Sequence, residues 1–335
     1  MAAREPFAGY PKGWFLACFS GDLAPGEVKP MRYFGRDLVA YRGDDGVAHI
    51  LDAHCPHLGA HLGYGGKVEG NCVRCPFHAW RFGADGVCDE IPYILPTSAG
   101  AAGSRKRIPH NAKVGAWRTH EINGVVLVHH DPTGADPAYE IPVIPEFGTD
   151  GWLPWATGIY RIKTHPREIV DNLADRAHFA PVHRTAIDEF SFDVEGLRAV
   201  QRAKGRAFLP GGGVDNFSST RTYHGPGYLL MKMDGALKNY MLIGHTLIDE
   251  HTLDLRLAVT LKIVGDRKTT EGYVGQYMAN LKAGFEDDIK IWETKVFRER
   301  PLLCDGDGPI GALRRWYRQF YDSPEATAPT VATAE

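Results

Sequence analysis

Cysteine is scarce: six in 335 residues, too few for a disulfide scaffold, so a reducing, cytoplasmic setting is expected. Neither sign of charge dominates, with 38 Lys and Arg against 41 Asp and Glu and a net charge of −3. That balance gives no basic surface for nucleic acid or an anionic membrane. Long apolar runs are missing too. Stretches such as Val125–Val128 are far too short to span a bilayer, and no membrane anchor is expected. Met1–Tyr10 contains Arg4, Glu5 and Pro6 without an apolar core, so no secretory signal is expected. No Gly-x-Gly-x-x-Gly sits in a strand–turn–helix context, so NADH is not expected to bind this chain itself. What remains is the balance of a globular protein, 44% hydrophobic and 24% charged, long enough for one large or two ordinary domains.

The first third reads as short β segments punctuated by glycine and proline. Val39–Tyr41, His49–Asp52, Cys72–Arg74 and Val125–His129 are candidate strands, with turn signals at Gly43–Gly46 and Ala84–Gly86. A proline-rich stretch, Asp131 to Pro154, reads as a linker laid across the surface. After it come a helical segment near Arg167–Phe179 and strand-like runs at Tyr228–Met233, Tyr240–Leu247 and Thr252–Ile263. A long amphipathic helix over roughly Gly272–Glu299 and a short helix after Pro309 follow. The small, polar end is expected to be disordered. The expected class is α+β, with an all-β domain at 1–145, a second domain at 146–323 and a tail at 324–335.

Two clusters carry chemistry. Cys55-Pro56-His57 is followed, after seventeen intervening residues, by Cys75-Pro76-Phe77-His78. Two thiolates and two imidazoles are the ligands of a Rieske [2Fe–2S] centre, one pair on each iron. Prolines beside each pair and nearby Gly59 and Gly83 suit loops wrapped round a cluster. A structural zinc site is the alternative. Cys72 and Cys75 supply the usual zinc spacing, but such a site strands Cys55 and His57. His54 and His61 read as loop or surface residues.

The second cluster is Asp175, His178 and His183. On a helix Asp175 and His178 share a face, and Pro181 ends the helix near Ala180, leaving His183 free to turn back. Alone, two histidines near a helix end are weak evidence, and core or surface roles are the commoner reading. The long helix supplies a third ligand. Val274, Met278, Leu281, Phe285, Asp288 and Trp292 recur at alternating spacings of three and four, one inward stripe in which Asp288 stands where an apolar residue is expected. An unpaired buried carboxylate is costly, so a cation should meet it there. Asp287, about 100° round the helix, reads as solvent-facing. Two histidines and one carboxylate form the facial triad of non-haem iron(II) oxygenases.

From Trp14 to Tyr321 the chain resembles the Rieske non-haem iron oxygenases. Within them it is most similar to the group of 3-ketosteroid 9α-hydroxylase oxygenases and cholesterol 7-desaturases. The residues that carry this are Asp52–Gly59, Cys75–Arg81, Asp175-x-x-His178-x(4)-His183 and the C-terminal run Pro301–Tyr321. Ala79 departs from the glycine common in the family. The resemblance implies a helix-grip catalytic domain, a [2Fe–2S] cluster on Cys55, His57, Cys75 and His78, and a mononuclear Fe(II) on His178, His183 and Asp288. It further implies that Asp175 bridges His178 to His78 of a neighbouring subunit in a homotrimer. Asn172 reads as a residue supporting the iron site or as part of a helix surface.

The function so implied is a terminal oxygenase that activates O2 and hydroxylates an apolar, steroid-like polycyclic substrate. Electrons are expected from NAD(P)H through a separate reductase, with or without a ferredoxin. Desaturation, or N- or O-dealkylation of a smaller aromatic substrate, uses the same ligands. An electron carrier would need only the first cluster, and a lipid-binding helix-grip module would need neither.

Overall fold

The computed structural model describes residues 7–94, 108–208 and 213–321. The tail expected at 324–335 lies outside them. Eighteen strands and four helices are assigned among the described residues.

The N-terminal part holds three small antiparallel sheets. One joins Gly13–Phe19, Val125–His130 and Thr119–Ile122. The second joins Val28–Tyr33, Arg36–Arg42, Ala48–Asp52 and Ala116–Trp117. The third joins Lys67–Glu69, Cys72–Arg74, Arg81–Phe82 and Cys88–Glu90. The two ligand loops leave the ends of these last two sheets.

The remainder is built on one seven-stranded antiparallel sheet. Thr185–Glu195, Arg198–Phe208, Val214–His224, Tyr228–Asp234, Asn239–Asp249 and Thr252–Leu261 run as a meander. Ala156–Ile162 then pairs with the last of them, so the first strand closes onto the seventh. Four helices accompany the sheet: α1 (Pro166–Val170), α2 (Phe179–His183), α3 (Arg267–Thr294) and α4 (Ile310–Arg318). Helix α3 begins where the Asp266 carboxylate accepts from Thr269 N at 2.9 Å, a side-chain N-cap. Its inward stripe grips one sheet face. Trp292, Phe285 and Ile289 pack with Leu247, Leu253 and Leu255, while Met278 and Leu281 pack with Met231, Met241 and Val259.

The other face is covered by the first N-terminal sheet. Trp14 and Leu16 pack on Tyr228, Leu242 and Ala258 from one side of Gly13–Phe19, and Phe15 and Ala17 pack on Leu38, Ala40 and Ile50 from the other. Buried on both faces, this strand is apolar without alternation.

The proline-rich stretch does lie across the surface, with most of its residues exposed, and it is pinned there at a few points. Ile141, Ile144 and Leu153 are almost fully buried, the Tyr139 hydroxyl accepts from Trp14 N at 3.0 Å, and Asn123 donates to Pro142 O at 2.8 Å.

Candidate metal centres and cavity

The first ligand set sits at the tips of two similar loops. Cys55 N donates to Ala60 O at 2.9 Å and Gly59 N to Cys55 O at 3.0 Å. In the second loop Cys75 N donates to Trp80 O at 2.8 Å and Ala79 N to Cys75 O at 3.1 Å. The residue four beyond each cysteine takes positive φ, +77° at Gly59 and +60° at Ala79. Ala79 therefore holds a left-handed conformation that glycine adopts freely. His54 and His61 brace the first loop: a His54 ring nitrogen meets Gly59 O at 3.2 Å, and Gly63 N donates to His61 Nδ1 at 3.0 Å.

Both thiols are buried, and the two imidazoles meet edge to face with ring centroids 4.6 Å apart. His57 stacks on Trp80 at 4.8 Å, and Trp80 Nε1 donates to the Tyr93 hydroxyl at 2.7 Å. Burial, reinforced by Cys75, pushes the Cys55 thiol up to about 11; bound cations would reverse this and draw out the thiolate. His57 Nδ1 is buried without a partner. An orphaned imidazole nitrogen beside two buried thiols is a fit for a metal cluster. Among the described residues one other group of metal-ligating side chains draws its ligand atoms round a single point.

That group is His178, His183 and Asp288, whose ligand atoms all lie within 4.8 Å of one another. His183 Nε2 and Asp288 Oδ2 are 3.3 Å apart. Two donors each about 2.1 Å from a common ion and roughly 100° apart would have this spacing. Asp288 is only 7% exposed, as its place in the apolar stripe of α3 requires, whereas Asp287 faces solvent and pairs with Lys290 at 3.1 Å.

The local backbone differs from the expected single helix. After α1 come a 3₁₀ turn, Asp171–Leu173, and then a bend closed by Asp175, whose Oδ1 accepts from Ala177 N at 2.9 Å and His178 N at 3.2 Å. Asp175 and His178 are neighbours through this Asx-type turn, not a helix face. Pro181 does not end a helix either. It lies in the first turn of α2, where no N–H is needed, and His183 is that helix's last residue, before Arg184 in the left-handed region.

Nδ1 of His178 donates to Asp175 O at 2.8 Å, which leaves Nε2 as the free lone pair. Burial raises the Asp175 pKa, but hydrogen bonds from His178 and the backbone outweigh it and hold the carboxyl below its usual range. Asn172 is no helix-surface residue: it donates to Asp288, and Trp292 donates to it. Helix α4 clamps the segment, with the Arg314 guanidinium on Asp171 at 2.5 Å. Gly308 passes so close that a Cβ there would sit 1.6 Å from Ala174 O.

The triad opens into a cavity of about 620 Å³ between α3 and the sheet, lined by Met231, Met233, Met241, Leu281 and Phe285 among others. Arg221 also lines it, a residue that belongs to neither ligand motif of the sequence. The signal was present: in Val214–His224, Phe217, Ser219, Arg221 and Tyr223 alternate onto one face, and the other three are buried.

Residues 13–99 match the Rieske [2Fe–2S] domain family, and residues 128–321 match the 3-ketosteroid 9α-hydroxylase C-terminal domain family. The chain is a Rieske oxygenase. A probable oxygenase component of a 3-ketosteroid-9-alpha-monooxygenase from Rhodococcus rhodochrous is 35% identical over 96% of this chain and 82% of its own length. Cholesterol 7-desaturase from Hemicentrotus pulcherrimus is 32% identical over 93% of the chain and 70% of its own length. The crystal structure of dicamba monooxygenase bound to dicamba shares the fold, with a TM-score of 0.74, 20% identity and coverage of 93% and 98%.

The oxygenase is thus the terminal component of a monooxygenase system. Its family implies a Rieske cluster and a non-haem iron, and relatives named as oxygenase components imply a separate reductase. No described helix is long and apolar enough to cross a membrane. A plain electron carrier would leave the triad and its cavity without a purpose.

Proposed function

We propose that this oxygenase hydroxylates an apolar, steroid-like polycyclic substrate seated in the cavity between α3 and the seven-stranded sheet. The observation that carries the reading is the triad of His178, His183 and Asp288 at the wall of an apolar chamber of about 620 Å³. That volume falls within the range of small-molecule sites.

In this reading Cys55, Cys75, His57 and His78 hold the [2Fe–2S] cluster, and His178, His183 and Asp288 hold Fe(II). When bound, these groups supply one-electron transfer and O2 activation. The chain's own residues do the rest. Asp175 fixes the His178 tautomer through its backbone carbonyl, Asn172 orients Asp288, and the methionine and aromatic wall excludes water from the reacting carbon. Asp175, half-exposed, is free on its outer side to accept from His78 of a neighbouring copy, which couples the two centres across a homotrimer. Leu58 at 65% and Phe77 at 62% exposure give the cluster loops an apolar tip suited to such docking.

Electrons come from NAD(P)H through the reductase, with or without a ferredoxin, and the protein works in the cytoplasm. The domain boundary falls near residue 145, inside the proline-rich stretch. A second reading, desaturation, is favoured by the likeness to cholesterol 7-desaturase.

Reconstituted protein should carry about three irons per chain, two in the cluster and one mononuclear. Reductant-driven O2 uptake should rise with steroids and not with small aromatic, N-methyl or O-methyl compounds. Uptake stimulated only by the latter sinks the substrate assignment. Mass spectrometry of the product separates hydroxylation, at plus one oxygen, from desaturation, at minus two hydrogens.

A further inference from the structure

Besides the half-buried Asp215, whose carboxylate accepts from Ala236 N at 3.0 Å, the cavity wall holds a cation that neither metal centre uses. Arg184 and Asp287 are exposed at its mouth, whereas the Arg221 guanidinium lies within, over the ring of Phe179 at 4.6 Å. Nε donates to Met231 Sδ at 3.0 Å and Nη1 to Gln201 Oε1 at 3.1 Å. All three partners are neutral, and thioether sulfur is a weak acceptor. Among the described residues no carboxylate pairs with Arg221, and Nη2 has no partner. Desolvation draws its pKa down to about 10, so the group remains a full cation at neutral pH.

A half-buried, unpaired guanidinium in a largely apolar wall is costly, and apolar residues of similar volume would line a purely hydrocarbon site better. Tyr277 and Asp288 lie near enough to feel the charge but do not bond to it. The remaining donors therefore face the space where substrate sits. A guanidinium presents a planar fork matched to two carboxylate oxygens.

We infer that Arg221 is a specificity-determining residue that pairs with a carboxylate carried by the substrate. The skeleton then lies along Met231, Met241, Leu281 and Phe285. The charged end is fixed beside Phe179, so the same carbon always meets the triad. This inference rests on the proposed polycyclic substrate and narrows it to acids.

The test uses the metal-loaded protein and a matched pair of probes, cholate and its methyl ester, titrated by calorimetry. The acid should bind at least tenfold more tightly than the ester, the size of one charged hydrogen-bonded pair. Arg221→Gln should bring the ratio close to one while leaving ester binding intact. Arg221→Lys, which keeps the charge without the fork, should keep part of the ratio and serves if the glutamine variant misfolds. Equal binding of acid and ester by the unaltered protein, or a ratio that survives in Arg221→Gln, overturns the anchor and leaves the steroid reading standing. Failure of both probes to bind overturns the two together.

Discussion

Asn172 donates from Nδ2 to Asp288 Oδ1 at 3.4 Å, tying the turn before the histidines to the middle of α3. Trp292 Nε1 completes the arrangement by donating to Asn172 Oδ1, also at 3.4 Å. The carboxylate is thus held with Oδ2 toward His183. Asn172→Leu should keep the fold but weaken Fe(II) retention roughly tenfold to a hundredfold, the usual effect of losing a ligand's support. Competition against a chelator reads this directly; unchanged retention would make Asn172 a mere packing residue.

Replacing Asp288 by Ala should abolish mononuclear iron binding and O2 uptake while the visible spectrum of the [2Fe–2S] centre persists. Asp287→Ala, one residue away on the solvent face, should leave both unchanged. Equal losses in the two variants would refute the choice between them.

Asp175→Asn is expected to retain both metals and slow turnover by orders of magnitude. Wild-type single-turnover rates in that variant would remove the bridging role.

The inward stripe of α3 and the Cys–His spacings marked Asp288 and the four cysteine and histidine residues as candidate ligands in the sequence. Their spacing in sequence matches their chemistry, and Asp288 breaks a pattern only a buried helix would set. The backbone between the ligands was not legible. Pro181 reads as a stop in an isolated helix, and nothing local tells that Asp175 has already broken the chain and that proline opens a second helix. The strands from Thr185 to His224 were also missed. Charged residues such as Arg202, Lys204 and Arg206 alternate with small ones, so no apolar run announces them. The proline-rich stretch was legible as a surface segment, but composition cannot reveal that Ile141 and Ile144 anchor it.

His245 is fully buried beside Tyr223, one ring nitrogen 3.1 Å from the phenol oxygen, and burial lowers its pKa to about 4. Between pH 6.5 and 4 the unfolded chain binds a proton here that the folded chain refuses, so stability falls as pH falls through that window. The loss is at most about 3 kcal/mol from this residue. His245→Gln should make that slope shallower, the remainder being owed to His165 and His224, whose pKa values burial also lowers; an unaltered slope would assign the acid sensitivity elsewhere.

Gly308→Ala forces a methyl group onto the Ala174 carbonyl. The clash should cost at least about 2 kcal/mol or push α4 off the 3₁₀ turn. Melting temperature and iron content should drop together, because that turn carries Asn172. A variant with normal values in both would show that α4 docks without reference to the iron segment.

The pairing of Ala156–Ile162 with Thr252–Leu261 joins residues about a hundred positions apart in the chain. During synthesis the earlier strand leaves the ribosome long before its partner exists. It must wait with open backbone groups while the meander forms. Closure of the sheet is then a late, slow event in folding. The waiting edge is where premature association between nascent chains would begin.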